Sequence, residues 1–352
     1  MGILESLGPK LDRAAILTAL QTLLNIDEEW TVRTTDSFTW WPHATQQRFF
    51  YDGPYHDAKR DMEVWRLTVE TDFLRNVPAD KRGVVALLNY AAPMHTARAG
   101  TDGRIWLSSS TLVYDAMSPY HVHTLFLAAA LQAAAPLLPL FSKLCEHIGE
   151  LDRSPHPTFG YREDFHRVVN VVADHIGPMG AKASEWKAEQ FDTVVEFMNS
   201  TGKGYGTAGG LGLSFEIPFG NDTALVQARA DEANPWLGHG LLLTALLPLT
   251  GTQESTDALC QRLTELDVER NYDSRLLGSW IARPVRSAHA PGYQRFVPNA
   301  LYAPDCLATW VGDVVSHMEW LRSEVCMPES GKSTFELMLE RLEGRAPKER
   351  PH

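Results

Sequence analysis

The sequence predicts an α+β fold of two tandem units, each ordered α-βββ-α-ββ-α, with antiparallel sheets and helices packed on one side. The first reason is length, because 352 residues exceed the usual size of one domain. The second is that a helical stretch in each half runs into an Asn-Tyr pair, at Asn89-Tyr90 and at Asn271-Tyr272. Beyond each pair a glycine opens an aromatic strand, at Gly103 and Gly292. These landmarks favour a duplicated, strand-rich unit.

The domain boundaries follow from changes in composition. Prolines, a glycine and charged residues are concentrated in 150–162, which is typical of a linker. We therefore expect a first domain at 1–150 and a linker with an extra helix at 151–183. A second, divergent domain is expected at 184–327, and a charged tail at 328–352.

In the first unit, apolar residues at helical spacing predict an opening helix over 11–25. Val64 to Thr71 alternates as a half-buried strand, with Trp65, Leu67 and Val69 on one face. Pro78 and Pro119 lie where they can open helices. The other predicted elements are strands at 37–41, 48–51, 95–98 and 104–114 and helices at 78–89 and 118–148.

The second unit repeats the order with weaker residue identity. Leu211 to Phe219 alternates as a half-buried strand, and Leu241 to Leu249 is more continuously apolar. The other predicted elements are strands at 224–230, 276–283 and 292–302 and helices at 163–176, 184–198, 254–270 and 305–325. A further helix is expected in the tail at 333–343.

The run Glu70-Thr71-Asp72-Phe73-Leu74-Arg75-Asn76-Val77-Pro78, then Val84–Asn89 and Asp102-Gly103-Arg104-Ile105-Trp106-Leu107, resembles the bacterial YbjN family. The resemblance covers residues 10–148, and 184–325 only by element order. It implies the fold of type III secretion chaperones, no known catalytic residues, and a chaperone-like or regulatory role such as sensory transduction. Since single-copy members of that fold commonly dimerise, we expect a monomer with an internal pseudo-dimer, packed through helices 121–148 and 305–325.

Composition narrows the classes of partner and the compartment. A net charge of −12 disfavours nucleic acid and anionic membranes. Four scattered cysteines without a CxxC pair, and an N-terminus without a signal peptide, favour a reducing cytoplasm. Leu125 to Phe141 imitates a membrane span but contains Pro136 and Pro139, so a buried helix is favoured over an anchor.

Several patterns that could carry chemistry are incomplete. Glu329–Thr334 is half of a phosphate-binding loop and lacks its first glycine. His121 and His123 are two apart in a helix, where their side chains diverge, so neither they nor His43, His56 and His95 predict a metal site. Ser108–Ser110 lacks a nucleophile elbow, and Asp27-Glu28-Glu29 is most simply solvated. We therefore predict no catalytic residues, no metal and no cofactor.

Two groups of residues are candidates for binding. The aromatic residues of the first strands predict an exposed recognition face, unless helices or the second unit cover them: Trp40, Trp41, Phe49, Tyr51 and Trp65. The glycine-dense segment Gly202–Gly212, with Gly204, Gly206 and Gly209, is either a flexible connection or a ligand-contacting loop.

We therefore expect a non-enzymatic adaptor, chaperone or regulator that captures a segment of a protein or peptide partner. Capture would use a strand edge or the aromatic face. The alternative is a small-ligand sensor or an enzyme, with a pocket between the units walled by the glycine segment and the aromatic strands.

Overall fold

The computed structural model of the chain describes residues 13–57, 61–91, 94–114, 119–175, 184–202, 205–234, 238–270, 275–299 and 302–325. The described part is a mixed α+β fold with two antiparallel sheets and eight α-helices.

The first sheet is built almost entirely from the first half of the chain. Its strands are β1 (Thr31–Arg33), β2 (Ser37–Trp40), β3 (Gln47–Asp57), β4 (Met62–Arg75), β5 (Thr96–Ala99), β6 (Ile105–Val113) and β7 (Glu150–Leu151). Their order is β1-β2-β3-β4-β6-β5, and β7 pairs with the end of β4. The helices of this half are α1 (Arg13–Leu23), α2 (Val84–Ala91), α3 (Pro119–Ala134), α4 (Pro139–Ile148) and α5 (Arg167–His175).

The second sheet comes from the second half. Its strands are β8 (Tyr205–Ala208), β9 (Gly212–Phe219), β10 (Asp222–Arg229), β11 (Gly240–Leu246), β12 (Ser279–Val285) and β13 (Ala288–Pro298). Their order is β8-β9-β10-β11-β13-β12, the same path as in the first sheet. The helices are α6 (Ala188–Ser200), α7 (Gln253–Arg270) and α8 (Leu307–Val325), in the places that α1, α2 and α3 take in the first half.

The element order differs from the predicted one by a strand in each unit. Four strands, not three, precede the middle helices α2 and α7. The additional strands are β1 and β8, which are three and four residues long. Such short segments give too few positions for an alternating pattern, and β8 also contains a glycine. The predicted helix 118–148 is two helices, since Pro136 and Pro139 interrupt it at a 3₁₀ turn over Ala135–Leu137.

The segment 150–166, which we call the strap, is bound along the first sheet instead of spanning between domains as a free linker. Its backbone pairs with β4 through β7, and Asp152 N–H donates to Phe73 O at 3.0 Å. Ser154 N–H donates to Ala44 O at 2.9 Å. The following helix α5 packs on α3 and places Val169 in the first core. The first core therefore continues past residue 150.

The two units meet through reciprocal contacts. Helix α2 packs on β12 of the other unit, α7 packs on β5, and β5 and β12 touch each other. Ser279 Oγ donates to Asn89 O at 2.9 Å, and Thr96 Oγ1 donates to Gly278 O. Phe296 of β13 joins the apolar cluster of the first unit, as Leu131 of α3 joins that of the second.

This arrangement corrects the expected interface. Helix α3 lies on β4 and β6 of its own sheet, and α8 lies on β10 and β11 of its own. The middle helices α2 and α7 and the strands β5 and β12 join the units. In the part of the chain that the structure describes, no helix is both long enough and apolar enough to cross a bilayer.

Candidate functional site

The face of the first sheet that points away from α1 and α3 carries charged residues. On β4, Leu67 and Val69 face the apolar core as predicted, so alternation sends Glu70 and Asp72 to the opposite face. Glu70 accepts hydrogen bonds from Arg48 Nη2 at 2.6 Å and from Arg98 Nη2. Arg48 also pairs with Asp72 at 3.1 Å. Two guanidiniums thus converge on one buried carboxylate.

An inter-unit cleft of about 620 Å³ lies beside this network. One wall is α2 with the β5–β6 hairpin, and the other is α7. The residues of the first wall that the cleft exposes include Arg82, Gly83, Ala86, Asn89, Arg98 and Trp106. The volume falls in the range of about 300–1,000 Å³ that is typical of ligand sites.

The wall formed by α7 is acidic. Asp257, Gln261, Glu265 and Glu269 follow one another at intervals of four residues, so they form one stripe along the helix. Asp257 accepts a hydrogen bond from the neutral amide of Gln253 at 2.9 Å. Glu265 accepts hydrogen bonds from Arg262 at 3.1 Å and from Gln261 at 3.2 Å. Three carboxylates therefore face the cleft.

The opposite wall is basic and aromatic, and its cations have local partners. Arg98 is held by Glu70, and Arg82 Nη2 donates to Thr101 O at 2.9 Å. Trp106 packs directly over Gly100, where an added Cβ would lie 2.5 Å from the ring. Only glycine lets the indole lie flat against this turn.

A small polar recess adjoins the cleft at Arg98 and Val268. It has room for about one water molecule, at about 10 Å³. Thr68, Ser108 and Ser110 contribute hydroxyl groups to its lining. Ser110 is 2 % exposed, and its Oγ has no hydrogen-bond partner among the described residues. A hydrogen-bonding group in the recess would satisfy it.

Cys260 lies in the cleft wall on α7. Burial, with the charge of Asp257, raises the pKa of its thiol to about 12. At neutral pH the thiol stays protonated and is a poor nucleophile.

The structure contradicts the predicted exposed aromatic face at three of its five residues. Trp40 and Phe49 are fully buried in the first core, and Trp41 is 4 % exposed. Trp40 and Phe49 lie on the strand face covered by α1 and α3, and Trp41 Nε1 donates to Ser154 O of the strap. Tyr51 and Trp65 are half-buried, and Arg13 stacks over Trp65 at 3.8 Å from the ring centre. Trp40, Trp41 and Phe49 are therefore covered by the chain itself, whereas Tyr51 and Trp65 are covered only in part.

The described part of the glycine-dense segment does not line the cleft either. Gly206 lies in β8, where a Cβ would come within 2.1 Å of the Phe215 ring, so this glycine is required for packing. The Asn199 side chain covers the outer edge of β8. Its Oδ1 accepts a hydrogen bond from Gly206 N–H at 2.8 Å, and its Nδ2 donates to Gly206 O at 3.2 Å. Gly209 has open space around it, and Gly204 lies outside the described residues. A cleft lies between the units, but its lining includes neither the described glycine-segment residues nor the predicted aromatic ones.

The histidines are scattered. His43 stacks on Phe165 with ring centres 3.7 Å apart, and His56 lies 3.7 Å from Asp61 at the surface. His95 is fully buried, and burial lowers its pKa to about 3, so it is neutral at physiological pH. His123 packs against Phe126, whereas the side chain of His121 lies outside the described part. Among described residues, no three His, Cys, Asp or Glu side chains are grouped to hold a metal ion.

The remaining motifs also have structural positions. Ser109 Oγ donates to Met94 O at 2.8 Å inside the core, while Ser108 and Ser110 face the recess. Glu329–Thr334 and the tail helix lie outside the described residues, as does Asn271-Tyr272. The matching Asn89 exchanges hydrogen bonds with the edge of β5, accepting Ala97 N–H at 2.6 Å.

The strap is fixed by Asp27, one of the predicted solvated carboxylates. Arg162 Nη2 lies 2.7 Å from Asp27 Oδ2, and Trp40 Nε1 donates to Asp27 Oδ1 at 3.1 Å. Burial opposes ionisation, but these hydrogen bonds outweigh it and lower the pKa of Asp27. His166 is the last residue of the strap, and His43 stacks on its neighbour Phe165.

We expect the strap to loosen as the pH falls from about 6.5 towards 4. Burial lowers the pKa of His43 to about 4, with Arg153 and Arg162 adding repulsion against the attraction of Glu163. Burial also lowers the pKa of His166, against the attraction of Asp27. The folded state favours the neutral form of both rings. Their contribution to the free energy of unfolding is therefore fully present above the unfolded pKa of about 6.5, and it is lost as the pH falls towards the folded pKa. Hydrogen exchange of 150–166 at pH 7 and pH 5, corrected for intrinsic rates, measures this.

The variant His43→Phe keeps a ring against Phe165 but takes up no proton, so it should reduce the pH effect. His56→Gln, at an exposed site, serves as the control. Equal pH dependence in the wild type and His43→Phe would contradict the explanation.

A buried polar cluster in the second unit was not anticipated from the sequence. Asp267 of α7 accepts a hydrogen bond from Trp280 Nε1 at 2.6 Å and lies 2.7 Å from His317 Nε2. All three side chains are buried, far from solvent. One feature of the sequence does point to it. Asp267 lies four residues after Leu263 and next to Leu266, at a helix position where the apolar period predicts an apolar residue.

Comparison with known proteins gives no indication of function, so the proposal below depends on the fold and the cleft. No family model, no curated protein and no solved structure matches the chain.

Proposed function

We propose that this chain is a non-enzymatic binding protein of the adaptor or chaperone-like kind, and that it captures a partner segment in the inter-unit cleft. The observation that carries the proposal is the cleft itself, whose charged and aromatic walls come from both units. Sites of this size between two structural units are common places for ligands.

The strand edges support this choice of site over β-augmentation. The end strands β1 and β8 are three and four residues long, and Asn199 occupies the backbone groups of Gly206. Asn89 does the same for Ala97 on β5. Short, covered edges give a partner strand few hydrogen bonds.

The matching strand orders and the reciprocal contacts of α2 with β12 and of α7 with β5 support a tandem, pseudo-dimeric origin. We infer that the units are diverged copies of one YbjN-like, secretion-chaperone-like unit. In this proposal the chain acts in the cytoplasm as a monomer, and the internal dimer boundary has become the binding site.

Filling the cleft tests the site. Gly83 lines the cleft and a Cβ there meets nothing within 4 Å, so Gly83→Trp introduces a large ring at the cleft wall with no clash at the added Cβ. Gly209 also has nothing within 4 Å, which makes Gly209→Trp a matched control on the glycine segment. In a pull-down from native cytoplasm, the intact chain should retain a stoichiometric partner that Gly83→Trp loses and Gly209→Trp keeps.

Retention by Gly83→Trp would refute the cleft as the site. Loss in Gly209→Trp alone would instead locate binding at the glycine segment. Circular dichroism of both variants verifies that each is folded.

A further inference from the structure

The outer face of the first sheet brings four oxygen-bearing side chains together at the recess. In the pairing of β4 with β6, Thr68 lies opposite Ser110 and Glu70 lies opposite Ser108. Directly opposite residues of antiparallel strands have Cβ atoms about 4.5–5.5 Å apart, and residues two apart on a strand share a face. All four residues line the recess. The strand register therefore places three hydroxyl groups and one carboxylate around a single small space.

The second unit supplies part of the same lining. Val268 of α7 and Leu276, which precedes β12, also line the recess, and both are buried. Ser110 N–H donates to Leu276 O at 2.8 Å, and Leu276 N–H donates back to Ser110 O at 3.1 Å. The recess therefore lies at a backbone contact between the units, and its lining is complete only when both units are in place.

The Ser110 hydroxyl is a buried polar group beside this space. Its Oγ makes no hydrogen bond to any described residue. Burying a hydroxyl without a hydrogen bond is unfavourable, and a buried water commonly satisfies such a group. The volume of the recess, about 10 Å³, suits one water. Ser110 thus combines an unpaired hydroxyl with an adjoining space of the right size.

The charges around the recess favour a neutral occupant. Its charged lining residues are two acids, Asp52 and Glu70, and two arginines, Arg66 and Arg98. Glu70 already accepts hydrogen bonds from Arg98 and from Arg48. A cation would meet guanidinium groups and an anion would meet carboxylates, so neither sign of charge has an advantage. An ionised carboxylate has about four lone-pair sites, so Glu70 can still accept a hydrogen bond from a water.

We propose that the recess binds one ordered water molecule, enclosed between the first sheet and the second unit. The water hydrogen bonds to Ser110 Oγ and to neighbouring oxygen atoms among Thr68, Glu70 and Ser108. Because Ser110 also carries the backbone contact with Leu276, the water supports the sheet position at which the units are joined. This inference concerns the joint between the units and does not depend on a partner in the cleft.

A crystal structure of the full chain tests the site directly. We expect density for a single water at about 2.5–3.0 Å from Ser110 Oγ, within the same distance of at least one of the other three side-chain oxygens. Crystals soaked separately in bromide and rubidium salts distinguish a water from an ion, because both of these ions scatter anomalously. An anomalous peak in the recess, or no density there, would overturn the proposal.

Magnetic relaxation dispersion of labelled water oxygen tests the site in solution, since it counts waters that stay bound for longer than the protein takes to rotate. Ser110→Val removes the hydroxyl and adds methyl groups beside the recess, so we expect the loss of one long-lived water. Circular dichroism verifies that the variant is folded, and the crystal structure of the wild type decides the question if it is not.

Thr111→Val is the matched control. The Thr111 hydroxyl is also buried and without a hydrogen-bond partner among the described residues, but Thr111 lies opposite Leu67 of the core face and does not line the recess. This variant should keep the water count of the wild type. An unchanged count in folded Ser110→Val, or the same loss in Thr111→Val, would contradict the assignment to the recess.

Discussion

The Asp267→Ala variant should lose about 3–5 kcal/mol of unfolding free energy, because the carboxylate is the shared partner of two buried groups. Its removal leaves Trp280 Nε1 and His317 Nε2 without their acceptor at positions that water does not reach. It also leaves a cavity against the ring of His317. Urea denaturation at pH 7, followed by tryptophan fluorescence, gives the difference in stability.

Asp257→Ala is the matched control, since it lies on the same helix and faces the cleft. Its effect should stay within about 0.5 kcal/mol, as for most surface substitutions. A cost below about 1 kcal/mol for Asp267→Ala would show that the cluster is not a support of the second core.

Substituting Glu70 should give the second large effect, a loss of about 2–4 kcal/mol in Glu70→Ala. The Glu70 side chain is 8 % exposed and neutralises Arg48 and Arg98, which approach it from opposite sides. Arg48 keeps Asp72, and both guanidiniums reach some solvent, so the cost is smaller than for a fully buried pair. Denaturation in urea at low salt measures it.

A double-mutant cycle isolates the pair. Glu70→Ala, Arg98→Ala and the double variant should give a coupling energy of about 1–3 kcal/mol. Additive effects would contradict this expectation. They would mean that Arg98 contributes to stability through its packing, including that against Trp106, and not through its ion pair with Glu70.

The alternating pattern of β4 shows how far sequence reasoning reaches. Alternation predicts Leu67 and Val69 on one face and therefore Arg66, Thr68 and Glu70 on the other, as the structure has them. The pattern could not say which second element covers each face. It therefore could not show that Arg66 donates to Val268 O of the other unit, or that Glu70 lies beside a cleft.

The aromatic residues illustrate the opposite case. Trp40 and Phe49 were expected to be either exposed or covered, and sequence alone left both open. Covering depends on α1, α3 and the strap, which arrive from distant parts of the chain. The sequence shows where large apolar side chains are concentrated. Whether they are buried depends on which elements pack over them in the folded chain.

The sequence by itself determined the mixed α+β class, the two strand-rich halves, and most helices and strands, because periodicity and prolines act within a few residues. Tertiary structure alone decided the short strands β1 and β8, the strap, the reciprocal interface and the cleft. These depend on pairings between residues tens to hundreds of positions apart, such as Ser110 with Leu276 and Asp27 with Arg162. Local propensity carries no information on such pairings. The favourable free energy of a long-range contact is gained only when the folded chain brings both partners together and removes them from water.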